Sequence, residues 1–338
     1  MASPPEYRDI TAARFHEEIV ASAQPAVFRG LAADWPVVRA GVTSPQALSD
    51  YLRRFDRGRQ VGAMMAPPRA KGRFFYNEDL SGFNFRRQKV KLTAALDFLL
   101  TAAEEDAPAA FAVQSAPVRE NLPGFEAENR MPLLDASVEP RVWIGNASIV
   151  AAHHDPSENI AVVASGRRRF SLFPPDQIGN LYQGPLERTP AGTTISMVDF
   201  DAPDPEHYPR FAEAMAHALV VDMEPGDAIY IPYMWWHHVR SLDRLNMLVN
   251  YWWKPAPKST SHPMDAMLHA MLTIRDLPAA HRDAWRAHFE HYVFGGNADQ
   301  AAHLPAEQRG VLADLDAAGV EQLRQAVLGG LNRGQGTV

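Results

Sequence analysis

Between Ala109 and Trp253 the chain is a succession of short segments rich in β-branched and aromatic residues, and no other feature limits its fold as tightly. Residues 110–114, 142–145, 148–153, 159–165, 168–173, 194–198, 219–223, 228–231, 237–241 and 247–252 each read as a strand, with turn residues between them. Many short strands at even spacing predict a sandwich or a barrel. Pro225-Gly226-Asp227 predicts a tight turn between two of them, because Pro presets φ and Gly accepts a positive one. The sheet is therefore expected to be mostly antiparallel.

The flanks change period. Residues 1–106 read as helices and loops packed on the barrel. Ser44-Pro45 supplies an N-cap and a first-turn proline, and Leu48, Tyr51, Leu52 and Phe55 follow as one apolar stripe. Thr93 starts a second helix carrying Leu96, Leu99 and Leu100. The aromatic runs Phe74-Phe75-Tyr76 and Phe83-Asn84-Phe85 lie in irregular sequence between the two. After Pro255 and Pro257, residues 255–338 return to helical stripes: Met264, Met267, Leu268 and Met271; Trp285, Phe289, Tyr292 and Val293; Val320, Leu323 and Val327. Such stripes have to be buried against the barrel or against a second copy, and a homodimer through these helices is the expectation.

With 46% hydrophobic residues, a chain of 338 can bury a large core as one domain or two. No run approaches the roughly 18 apolar residues of a membrane span, and the first residues lack a basic-then-apolar leader. A cytoplasmic protein with no membrane partner is expected. Zero Cys removes disulfides and thiolate ligands, so any metal must be held by His and carboxylates. A net charge of −7 argues against a nonspecific nucleic-acid binder, while leaving room for a local basic patch. The lysines are Lys71, Lys89, Lys91, Lys254 and Lys258, with none between Leu92 and Trp253.

Two clusters carry chemistry: His153-His154-Asp155, and Trp235-Trp236-His237-His238. Side chains two apart on a strand share a face, so His153 and Asp155 form a preformed pair, to which a second strand adds an imidazole. Two His and one carboxylate on one face of a metal, with positions left open, is the ligand set of non-haem Fe(II) oxygenases. Spacing alone leaves open which of His153 or His154, and of His237 or His238, points inward. The competing reading is a set of hydrogen-bonded core histidines.

Further motifs accompany these clusters: Trp143-Ile144-Gly145, Asn159, Gly166-Arg167-Arg168-Arg169-Phe170, Phe173-Pro174-Pro175, Pro225-Gly226-Asp227, Tyr230-Ile231-Pro232 and Val249-Asn250-Tyr251-Trp252. In this ordered series the chain resembles the cupin-like branch of the JmjC oxygenases, nearest in pattern to its asparaginyl hydroxylases, over roughly residues 74–253. The resemblance implies a double-stranded β-helix (jelly-roll) over 107–254, with Fe(II), 2-oxoglutarate as cosubstrate, and O2. It implies a metal triad of His153, Asp155 and His237, with His154 and His238 facing away. Asn159 and Asn250 match positions lining the cosubstrate pocket, Trp252 an aromatic beside it, and Gln114 a residue near the substrate. The mouth residues Phe75, Tyr76, Asn77 and Glu78 complete the expected substrate contacts, with core cover as the alternative for Phe75 and Tyr76.

The chain departs from the family at three positions. The cosubstrate-anchoring lysine falls at Arg168, an assisting threonine at Val150 and an assisting tyrosine at Ala112. With no lysine in the barrel, the distal carboxylate of 2-oxoglutarate has to meet an arginine, whose planar fork grips a carboxylate well. Arg168 is the first choice, because alternation turns Arg167 and Arg169 the other way; Arg244 is the second. The implied reaction is hydroxylation of a protein, peptide or small-molecule substrate, with release of succinate and CO2. Its rivals are a cupin-fold binding protein that no longer retains 2-oxoglutarate, and a metal-dependent cupin isomerase or lyase.

Overall fold

The computed structural model describes residues 1–190, 192–254, 262–295 and 300–333. The chain divides into two compact units, Met1–Pro255 and Ala256–Val338. Pro255, Pro257 and Lys258, around which the sequence placed the change of period, lie outside the described residues.

The first unit holds strands β1 (Glu6–Tyr7), β2 (Ala26–Phe28), β3 (Gln60–Ala66), β4 (Arg73–Phe74), β5 (Arg86–Lys91), β6 (Ala110–Pro117) and β7 (Pro140–Gly145). It continues with β8 (Ile149–His154), β9 (Glu158–Ser165), β10 (Arg168–Phe173), β11 (Leu219–Met223), β12 (Ala228–Ile231), β13 (Trp236–Ser241) and β14 (Asn246–Trp253). Nine strands form a large sheet in the order β1, β2, β12, β9, β14, β7, β6, β3, β5, and five form a second in the order β11, β10, β13, β8, β4. Apart from the parallel pairs β1/β2 and β4/β8, every pairing is antiparallel. This is the expected jelly-roll with flanking helices.

Alternation divides the core into layers. On β9, which is buried along its whole length, Ile160 and Val162 join Phe15, Leu48, Leu52, Leu96 and Phe111 beneath the N-terminal helices. Ala161 and Val163 turn the other way and join Phe170, Leu172, Val221, Val239 and Leu248 between the sheets. The helix Pro45–Arg53 starts as its sequence predicts, with the Ser44 side chain accepting from Ala47 N at 3.0 Å, and buries Leu48, Tyr51 and Leu52. At the Pro225-Gly226-Asp227 turn, Gly226 has φ +96° and its backbone lies against Ala33, which a Cβ would meet at 3.1 Å.

Two expectations need correction. The first hundred residues are not only helix and loop, since they contribute five strands, of which β3 and β5 extend the large sheet. Met, Ala and Gly dominate β3, and β5 is an exposed run of cations, so neither carries the β-branched signature of a strand. Residues 194–198 do not form a strand: Ile195 bridges His153 and Ser196 bridges Gln183, one residue in each direction, which builds no ladder.

The second unit is helical as expected, with helices Pro263–Thr273, Ala279–Phe289 and Ala317–Arg333. Neither of the first two fully buries a residue, and Leu272, Trp285 and Val327 are exposed. Within this unit His269, Ile274, Trp285, Phe289, Leu323 and Val327 line an apolar groove of about 990 Å³.

Candidate metal and cosubstrate site

His153 at the end of β8 and His237 at the start of β13 are directly opposite in register, so their side chains share a face, with ring centroids 4.2 Å apart. Asp155 follows β8, and its Oδ2 lies 3.7 Å from His237 Nε2. Ligand atoms of all three residues lie within 4.8 Å of one another. Two ligands each about 2.1 Å from one ion sit about 3 Å apart at right angles, so a small inward adjustment closes the triad on a cation.

The surroundings prepare these side chains as ligands. His153 Nδ1 lies 3.0 Å from Ala151 O and His237 Nδ1 3.1 Å from Trp235 O. A ring that donates from Nδ1 to a carbonyl presents a lone pair at Nε2, the arrangement that orients metal-binding imidazoles. Burial, and then the neighbouring His153, pull the His237 pKa down to about 4, so it is neutral at pH 7. Burial pushes Asp155 up, but the facing imidazoles and the Trp252 indole, which donates to Oδ2 at 3.1 Å, leave it below the ordinary carboxylate range. Neutral imidazoles and an ionised carboxylate are the forms that bind a metal.

His154 and His238 face away. His154 meets Trp236 edge to face, and His238 stacks on Phe200 at 4.4 Å, where burial pulls its pKa to about 3. Packing occupies both rings.

Arg168 is buried on β10, opposite Met223 and Ser241, and four residues along the strand from Leu172, the partner of His237. It shares the inner face with Phe170 and Leu172, and at about 3.3 Å per residue its Cα stands about 13 Å along the sheet from the triad. Arg167 and Arg169 turn outward and pair with Asp243 and Asp222. Arg168 pairs with no carboxylate among the described residues, its Nε is buried without a hydrogen-bond partner, and desolvation alone lowers its pKa to about 9. It is still protonated at pH 7, a buried cation lacking the counter-charge such groups require.

Beside it is a pair that the sequence reading missed. Ser241, directly opposite Arg168, and Ser148 place their buried hydroxyl oxygens 3.2 Å apart. Cross-strand neighbours of this kind have Cβ atoms about 5 Å apart, within reach of whatever the guanidinium holds. Val150 packs against the apolar layer and Ala112 is buried, so neither supplies a hydroxyl.

Asn250 Nδ2 donates to Asn159 Oδ1 at 3.0 Å, which leaves Asn250 Oδ1 buried without a partner. Trp252 orients the Asp155 carboxylate. Arg244 is elsewhere: its guanidinium donates to Ala103 O at 2.6 Å and lines an outer cleft with Gly41 and Pro45, away from the triad. Tyr76 is core cover, buried and donating to Arg188 O at 2.6 Å, and Phe75 lies under the Arg73 guanidinium. Asn77 closes its own turn, accepting from Gly82 N at 3.0 Å, and Glu78 borders a cleft of about 980 Å³ with Tyr76 and Asn77. Gln114 lies in a different cleft of about 760 Å³, beside Trp143.

A buried orphan cation and a hydroxyl pair on the sheet that carries the His-Asp-His triad, with an orphan amide oxygen on the inner face of the other sheet, fit a metal together with an anionic, chelating small molecule. The profile of a family described as a cupin-like domain matches residues 12–259. Lysine-specific demethylase 8 of Danio rerio is 26% identical over 71% of this chain and 55% of its own length. tRNA wybutosine-synthesizing protein 5 of Gallus gallus is 31% identical over 39% of this chain and 43% of its own. Lysine-specific demethylase JMJ31 of Arabidopsis thaliana is 33% identical over 33% of this chain and 20% of its own. The chain thus spans about half, or less, of the length of these relatives.

Proposed function

Because the chain belongs to the cupin-like domain family of JmjC type, we propose that it is an Fe(II)- and 2-oxoglutarate-dependent dioxygenase that hydroxylates a side chain of a protein or peptide. The observation that carries this reading is Arg168, a charge buried on the metal-bearing sheet that pairs with no carboxylate among the described residues. A binding module with no small acid to hold has no reason to retain it, and neither has a cosubstrate-free isomerase or lyase.

When bound, iron and 2-oxoglutarate supply oxidative decarboxylation to succinate and CO2, coupled to insertion of one oxygen atom of O2 into a substrate C–H bond. His153, Asp155 and His237 would hold the metal ion. Trp252 and the carbonyls of Ala151 and Trp235 fix the three ligands in their binding orientations. Arg168 would receive the distal carboxylate of 2-oxoglutarate through its fork, with the Ser148 and Ser241 hydroxyls as further donors to the same group. Asn250 and Asn159 would line the cosubstrate between its two ends. Phe170, Leu172 and Val239 keep water from the interior.

Two of the relatives are named as lysine demethylases and one for tRNA modification, which supports macromolecular substrates in general. We place a polypeptide first because the protein carries a net charge of −7, unfavourable for a polyanionic nucleic acid. A homodimer through the exposed apolar stripes of the second unit, and a cytoplasmic location, complete the proposal; no helix among the described residues is long and apolar enough to cross a membrane.

The test is anaerobic calorimetry of the purified chain with Fe(II) and 2-oxoglutarate. One metal and one 2-oxoglutarate per chain are expected, and both are lost in His237→Ala. Metal binding without any 2-oxoglutarate binding overturns the oxygenase reading in favour of the binding module.

A further inference from the structure

Strand β5 reads Arg86-Arg87-Gln88-Lys89-Val90-Lys91: four cations and no acid, in a protein of net charge −7. It has β3 on one side and, among the described residues, no strand on the other, so it is an edge of the nine-stranded sheet. Many cations elsewhere find carboxylates, as Arg53 does with Asp97 and Arg119 with Glu126. Among the described residues none of the four β5 cations does. Arg87 donates to the carbonyls of Thr189 and Pro190 and lies over the Phe83 and Phe85 rings, none of which carries a formal negative charge.

Register shows which way this strand faces. Lys89 is opposite Gly62 and Arg87 opposite Met64; Met64 is opposite Ala112, Ala112 opposite Gly145, and on the neighbouring pair Trp143 is opposite Leu248. Opposite residues share a face, and Leu248 lies in the apolar layer between the sheets. Arg87 and Lys89 therefore lie on the inner face, in the same row as Gln114, Trp143, Asn250 and Trp252. Beyond the five-stranded sheet that face lies open as the cleft of about 760 Å³, bordered by Arg87, Lys89, Gln114 and Trp143. The Nε1 of Trp143, which borders this cleft, is buried and has no hydrogen-bond partner among the described residues. The neighbouring cleft at Glu78 and Asp79 mixes both signs of charge with Arg69 and Arg86, and carries no comparable signal.

We propose that this cleft and the β5 edge receive an acidic, extended polypeptide segment, which makes an acid-flanked peptide the substrate class of the site. The proposal rests on the oxygenase reading above for what then happens to the peptide, but not for its binding. Strand addition supplies the backbone pairing that β5 lacks, and side chains at every second residue of the guest meet Arg87, Lys89 and Lys91. A nucleic acid has the charge but cannot pair with a strand edge. The four strand spacings from β5 to β14 are about 19 Å, so a guest has to leave the edge and cross the face with about six further extended residues to reach β14. Charged edges also protect sheets from aggregation, but that role requires neither four cations nor the placement of two of them, Arg87 and Lys89, in the cleft beside Gln114 and Trp143.

The experiment is fluorescence anisotropy of the full chain, without metal, against labelled ten-residue peptides alternating Glu with Thr or Lys with Thr, and against a ten-nucleotide single-stranded RNA. The Glu peptide binds, more weakly as NaCl rises from 50 to 500 mM, and Arg87→Glu/Lys89→Glu weakens it at least tenfold while Lys89→Arg keeps it. The exposed positions leave the thermal midpoint unchanged; if the double variant melts early, Lys89→Ala carries the measurement with a smaller loss. Equal binding of the Lys peptide, preferential binding of RNA, no binding at all, or indifference to charge reversal each overturns the proposal. Failure of the iron and 2-oxoglutarate reading shows itself separately, in the calorimetry above.

Discussion

Replacing Arg168 by Met separates the cost of a preformed anion site from its use. Burial lowers the guanidinium from the ordinary arginine value to about 9, which at about 1.36 kcal/mol per pH unit places the cost of the unpaired cation at no more than about 5 kcal/mol. Exchanging buried charges for apolar groups of similar size recovers about 1–4 kcal/mol. Met keeps the unbranched stem among Phe170, Met223 and Val239 and removes the charge. The ligand-free variant is thus more stable than wild type, and a gain of about 2 kcal/mol raises the midpoint by about 4–8 °C in a domain of this size. The sign with pH follows from the lowered value. A base whose folded pKa is depressed is penalised wherever it is protonated in both states, so the gain is constant from pH 6 to 8 and fades only above about 9. Wild type gains about 2.7 kcal/mol from 2-oxoglutarate at a hundred times its Kd, whereas the variant gains nothing. Differential scanning fluorimetry with and without metal and 2-oxoglutarate reads both effects. A variant that melts lower than wild type yet still shifts with 2-oxoglutarate would refute the assignment.

Trp252→Phe removes the indole that orients Asp155, and metal affinity followed by Co(II) absorbance should fall about 10- to 100-fold with the apo midpoint unchanged. Ser241→Ala, alone or with Ser148→Ala, should weaken 2-oxoglutarate about tenfold by calorimetry, in line with hydrogen bonds to a charged group worth about 1.5–3 kcal/mol, and should spare the metal. In the second unit, Leu272→Asp and Val327→Asp place charges in exposed apolar stripes; light scattering should show wild-type dimers becoming monomers, and a monomeric wild type sinks the dimer reading.

The parts of the fold legible in the sequence are those where one face of a strand is buried and the other is not, or where both are. Segments 159–165 and 168–173 announce themselves by β-branched and aromatic content, and so does the turn at Pro225-Gly226-Asp227. Strand β5 escapes because its cations have the composition of a solvated loop; it is a strand only because β3 offers it a ladder. The segment 194–198 fails in the opposite sense. Its Ile, Met and Val look like a strand, but tertiary contacts give it single bridges to His153 and Gln183 instead of a partner.

The site divides in the same manner. Alternation identifies Arg168 against its two outward neighbours, and the absence of barrel lysines makes it the first choice; Arg244 fell into second place on proximity in sequence, which its bonds to Ala103 and Glu105 show to be no guide. Counting by twos from His237 along β13 also reaches Ser241, so that hydroxyl was legible. Ser148 was not. Counting by twos from His153 along β8 turns Ala151 and Ile149 inward, but the ladder slips between His237 and Val239, where two residues of β8, Ala152 and Ala151, answer one of β13, His238. The bulge brings Val150 opposite Val239 and carries Ser148 to the level of Ser241. A bulge has no compositional signature in Ile149-Val150-Ala151-Ala152, and a one-residue slip exchanges every face beyond it. The same slip sets the Ser148 and Ser241 hydroxyls on the rung of the ladder that carries Arg168, beyond the rung of Val150 and Val239.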